Sequence, residues 1–120
     1  MTPQERMEKI IDNVINYTKS DNGSGIIKMM NPSFLRCSHE NLQLEIKYRI
    51  ESWELNPQKS MHGGLLCAAF DNTFGMLNTL VSMTGEAVIE NKNLVAATSS
   101  ATFMILRGKE TQINSLHNIK

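Results

Sequence analysis

From His62 to Gly85 the chain reads HGGLLCAAFDNTFGMLNTLVSMTG, and the only charged residue in it is Asp71. Leu65, Leu66, Cys67, Ala68, Ala69, Phe70, Phe74, Met76, Leu77, Leu80, Val81 and Met83 make the rest small or apolar, and no proline interrupts. Gly63 and Gly64 open the run and Gly85 closes it, which predicts a helix over about 63–84 with a glycine stop. A helix apolar nearly all round is a buried helix. A lone carboxylate in such a helix is costly unless it is paired, protonated or wetted by a site. The bland reading is a core helix whose aspartate finds a backbone donor. A membrane span is disfavoured, because Asp71, Asn72, Thr73, Asn78 and Thr79 break the run below the roughly 18 residues a spanning helix needs.

The 120 residues suit one domain, with a net charge of zero. No cluster of Lys and Arg argues for nucleic acid. Glu5, Glu8 and Asp12 stand where a secretory leader needs cations and an apolar run, so cytoplasm is the expectation. Cys37 and Cys67 share no metal-ligand spacing and read as free thiols.

Thr2-Pro3-Gln4-Glu5 reads as a capping box with proline at the first helical position. Met7, Ile10, Ile11, Val14 and Ile15 then give an amphipathic helix over 3–19. Ser20 to Gly25 is a loop, and Ile26 to Met30 is a short apolar piece stopped by Asn31-Pro32. Leu42, Leu44, Ile46, Tyr48 and Ile50 alternate with polar residues, giving a half-buried strand paired in a hairpin with 34–39. Trp53 to Met61 reads as an irregular loop and 86–93 as a polar connection. Residues 94–106 alternate again as a second long strand, and 111–119 do so only weakly. Helix, strands, long buried helix, strands is an α+β order with an antiparallel sheet.

Asn56, His62-Gly63-Gly64 and Asp71-Asn72 in an apolar helix resemble the hotdog-fold acyl-CoA thioesterases, PaaI-like branch, whose motif is N-x5-HGG-x6-D-[NST]. The resemblance covers about residues 1–107. It implies an antiparallel sheet wrapped around the long central helix, and hydrolysis of a small or medium, or aromatic, acyl-CoA. It implies that the Gly63 N–H and Asn56 polarise the thioester carbonyl and that Asp71 is general base or nucleophile. His62 shapes the loop, with its side chain as base the lesser alternative. Gly64, Asn72 and Phe74 are expected against substrate, and Thr98, Ser99 or Ser100 beside the carboxylate. Coenzyme A is part of the substrate, and no cofactor or metal is expected. Free N–H groups at a helix start stabilise developing negative charge, which supports the Gly63 role independently. The resemblance also implies two more strands after 107, so the C-terminal strands read as incomplete and the sheet edge as prone to self-association.

Other chemistries fit less well. Cys67 has no histidine at helical spacing to activate it. His39, His62 and His117 share no metal spacing. Trp53 and Phe74 could line an acyl pocket, though packing is the commoner fate of an aromatic; Lys92, Arg107 and Lys109 suit solvent better than coenzyme A phosphates. A non-catalytic hotdog module that binds an acyl group or only assembles is the second function class, and a hotdog dehydratase the third. Helix geometry puts Asp71 roughly 12 Å along the axis from Gly63. One helix cannot bring both to one thioester, so a homodimer with shared sites, alone or as a dimer of dimers, is expected.

Overall fold

The computed structural model of the chain describes residues 1–77, 82–90 and 92–102. They fall in two compact units, Met1–Asn78 and Thr79–Lys120. The molecule is α+β, with antiparallel hairpins.

In the first unit α1 spans Pro3–Lys19, as expected. Its start is closed reciprocally: the Glu5 N–H donates to Thr2 Oγ1 at 3.1 Å, and the Thr2 N–H donates to a Glu5 carboxylate oxygen at 2.9 Å. The helix packs on its Ile11 and Ile15 side, both buried, with Met7 half-buried one turn before. Ile10 and Val14, expected on that face, are 55% and 42% exposed. The seam is narrower than the apolar pattern, because residues at i, i+4 and i+8 share one line on a helix. Gln4 ties α1 to the first strand: its Nε2 donates to the Cys37 carbonyl at 2.9 Å and its Oε1 accepts from the His39 N–H at 2.7 Å.

The short α2, Gly25–Met30, ends at Asn31 in the left-handed region (φ 52°), and its Met30 is fully buried. Pro32 then opens β1, Pro32–Ser38, at a position where the missing N–H matters little. β1 pairs antiparallel with β2, Gln43–Tyr48, matching Phe34 with Ile46 and Cys37 with Leu44 across a bulge between Phe34 and Arg36. Leu44, Ile46 and Tyr48 are half-buried and Gln43, Glu45 and Lys47 exposed, which is the expected period of two. The alternation runs past the strand at both ends: Leu42 sits in the turn at φ 52°, and Ile50 is exposed.

A 3₁₀ turn, Ser52–Glu54, leads through a loop to α3, Gly63–Met76. The helix is shorter than the expected 63–84. It ends where the Leu77 N–H donates to the Phe74 carbonyl at 3.0 Å. In the second unit Ser82–Ile89 is strand β3, paired antiparallel with β4, Leu94–Thr102. Gly85 is therefore no helix stop but a β3 residue opposite Ser99, and Glu86–Ile89 is strand rather than connection. Ser82, Thr84, Gly85 and Val88 are weak helix formers, and β4 supplies the partners that hold them extended. The last part of the strand expected over 94–106, residues 103–106, and the weak alternation of 111–119, with the C-terminal strands, lie outside the described residues. No helix among the described residues is long and apolar enough to cross a membrane.

Candidate active site

The loop before α3 is a small zipped stem. Leu55 and Met61 form an antiparallel bridge. The Asn56 N–H donates to the Ser60 carbonyl at 2.7 Å, and the His62 N–H donates to the Glu54 carbonyl at 2.8 Å. At the tip, Asn56 Oδ1 accepts from the Gln58 and Ser60 N–H groups, both at 3.0 Å, and Lys59 takes a left-handed φ of 66°. An asparagine bridging its own turn in this way is a local device for closing tight loops. It also settles the amide orientation: the oxygen faces the loop donors, so Nδ2 is the donor left over.

His62 is the N-cap of α3 and makes no side-chain cap. Its carbonyl accepts from the Leu65 and Leu66 N–H groups at 3.0 and 3.1 Å. The Gly63 and Gly64 N–H groups have no acceptor among the described residues. Both glycines are exposed, and a Cβ at either would meet nothing within 4 Å. Internal packing therefore does not require glycine there. Two adjacent open N–H groups at a helix start are a site for developing negative charge.

Asp71 is exposed, which corrects the expectation of a buried carboxylate. α3 is not buried all round: Ala69 and Phe74 are buried, while Gly63, Cys67, Asp71 and Gly75 are exposed at four-residue intervals on one side. Asn72 and Phe74 point their bonds and rings inward. Asn72 Nδ2 donates to the Tyr48 hydroxyl at 2.8 Å, which also meets Thr73 Oγ1 at 3.1 Å. Phe74 stacks on Phe70 with ring centroids 5.9 Å apart. Burial raises the Tyr48 hydroxyl above the ordinary tyrosine range, and the Asn72 and Thr73 bonds offset part of this. Trp53 remains 41% exposed. A cleft of about 250 Å³ lies among Tyr17, Thr18, Asn22 and Asn72, and of the expected site residues it touches Asn72 alone.

One carboxylate here escaped the sequence reading. Glu54 is fully buried. One of its oxygens accepts from the Glu51 N–H at 3.0 Å, and Oε2 has no partner among the described residues. No periodic signal marks it, because its burial comes from a 3₁₀ turn and not from a helix or strand face.

The fold thus gathers Asn56, His62, Gly63 and Gly64 at one loop–helix junction. Asp71 sits eight residues further along the same helix, roughly 12 Å away along the axis. Thr98, Ser99 and Ser100 lie in β4 of the second unit, with Thr98 and Ser100 exposed. Cys67 is an exposed free thiol. No group of three or more His, Cys, Asp or Glu able to hold a metal occurs among the described residues. In comparisons with known proteins, no family model, no curated protein and no solved structure matches this chain.

Proposed function

We propose that the chain hydrolyses a small or medium, or aromatic, acyl-CoA thioester to the free acid and coenzyme A. The observation that carries the reading is the start of α3: two adjacent N–H groups without an acceptor among the described residues, next to an asparagine whose Oδ1 is engaged and whose Nδ2 is left to donate. Donors of this kind stabilise the oxygen that gains charge when a carbonyl is attacked. In this reading the thioester carbonyl accepts from the Gly63 N–H and Asn56 Nδ2, and Gly64 leaves room for its approach. Asp71 either takes a proton from the attacking water or attacks the carbonyl itself to give a mixed anhydride that water then opens. The tetrahedral species collapses with loss of the coenzyme A thiolate, which is then protonated. The hotdog fold, a homodimer with Asp71 of one subunit serving the donors of the other, and a cytoplasmic location belong to the same proposal.

A non-catalytic acyl-binding or assembly module is favoured by one observation. Asp71 is exposed and stands well away from Gly63, so a single chain does not unite base and donors. The experiment that separates the two is release of free thiol from a panel of acyl-CoA substrates, with Asp71→Asn alongside. The expected result is turnover by the wild type and a loss of about 10²–10⁴-fold in the variant, with an unchanged or higher melting midpoint because Asp71 is exposed. An Asp71→Asn chain that keeps more than about half of the wild-type rate removes Asp71 from the chemistry.

A further inference from the structure

We propose that Glu54 is a positioning residue, whose carboxylate sets the loop that presents the Asn56 amide and the Gly63 N–H. The proposal rests on the thioesterase reading for its kinetic arm only. Glu54 touches neither donor. It acts at the root of the stem that carries both.

Several bonds meet at this residue, a reciprocal capping box with Glu51 among them. Its N–H donates to the Glu51 carbonyl at 3.0 Å, its carbonyl accepts from the His62 N–H at 2.8 Å, and its carboxylate accepts from the Glu51 N–H at 3.0 Å. The first and third close the 3₁₀ turn into which β2 runs. The second joins that turn to the residue that caps α3. Asn56 lies two residues beyond Glu54 on one side of the stem, and Gly63 one residue beyond His62 on the other. A tilt at Glu54 therefore moves both donors at once. Catalytic donors lose most of their effect when displaced by about 1 Å.

The burial sharpens the case. Packing alone is served better by an apolar side chain than by a fully buried carboxyl with one oxygen unpartnered among the described residues. What a leucine cannot do is accept the Glu51 N–H. A glutamine can, since its carbonyl oxygen takes the place of Oε1, and the oxygen it replaces with NH₂ is the one without a partner among the described residues. Glutamine is thus the rescuing variant.

The test uses the full chain with Glu54→Leu and Glu54→Gln. It reads kcat and KM on the acyl-CoA turned over fastest, the melting midpoint, and amide hydrogen exchange. For Glu54→Leu, kcat falls at least about tenfold, KM stays within about threefold, and exchange quickens over 55–62 while α1 and the β1–β2 hairpin keep their protection. Glu54→Gln keeps kcat within about threefold and the loop protection, with an equal or higher midpoint. The proposal is overturned if Glu54→Leu retains wild-type kcat and loop protection. It is equally overturned if Glu54→Gln loses as much as Glu54→Leu, or if protection falls evenly across the first unit. Should Glu54→Leu show no cooperative transition, Glu54→Asp takes its place with the same readings, since it draws the accepting oxygen back by one methylene. If the wild type releases no thiol from any substrate, the thioesterase reading fails and exchange alone decides for Glu54: faster in the loop for Leu and not for Gln supports it, and unchanged in both overturns it.

Discussion

Two carboxylates exchange places between sequence and structure. Asp71, the lone charge of an apolar run, is exposed, and Glu54, one acid among many polar neighbours, is buried. Hydropathy along the chain reports the company a residue keeps in sequence, and burial is decided by what the fold lays over it. A second residue of this kind is Tyr48, an ordinary inward position of β2 that turns out to bind α3 through Asn72 and Thr73. Its raised pKa has a definite consequence for stability. An acid whose folded pKa lies above its unfolded value contributes stability that is full below the unfolded pKa and is lost as pH rises through the folded one. Tyr48 therefore adds an alkaline loss beginning near pH 10. Chemical denaturation across pH 8–11 is expected to show Tyr48→Phe less stable than the wild type by about 1 kcal/mol at pH 8, with the gap narrowing towards pH 11. A gap that stays constant over that range means that Tyr48 does not titrate differently in the folded state.

Among the elements, those whose signals are local were legible. The capping box, proline and 3.6 period of α1 act within a few residues, and the helix lies where they place it. Thr2→Ala removes one of the two reciprocal bonds and is expected to cost about 1 kcal/mol, read as a lower urea midpoint at unchanged slope. The β1–β2 hairpin was legible for the same reason, through alternation. The end of α3 was not. An apolar run does not say by composition where a helix gives way to a strand. Yet a signal was present beyond it: Met83, Gly85 and Ala87 turn inward while Ser82, Thr84 and Glu86 are exposed, a period of two that the preceding apolar residues masked. The motif loop was legible as spacing only. That Asn56 turns its oxygen into its own loop is in keeping with Asn-Pro as a turn opener, whereas the bond from the Glu51 N–H to the Glu54 carboxylate is one that no pattern of residue types encodes.

At the scale of the molecule, the side of α3 that bears Gly63, Cys67, Asp71 and Gly75 is open in the single chain. Small residues at that spacing allow a second helix to come close, and in the proposed dimer an antiparallel copy would carry its own Asp71 towards the first copy's donors. The shared site predicts complementation. Asp71→Ala subunits and Asn56→Ala subunits, each inactive alone, are expected on mixing to recover up to about a quarter of the wild-type turnover, since half of the randomly formed dimers are mixed and each has one working site. Mixed dimers shown by mass to form, yet without turnover, contradict a site shared in this way.

The zipped stem also bears on the order in which such a site comes together. Among the described residues the bonds that shape it join residues between Glu51 and His62, so its closure is local, and loops of about this length close in roughly 10–100 ns. A carboxylate supplied by another subunit arrives only after a bimolecular encounter, whose rate depends on concentration. In the proposed shared site the two halves would then run on separate clocks: a newly made chain would carry its donor half from the moment its loop folds, and would acquire the basic half on meeting its twin.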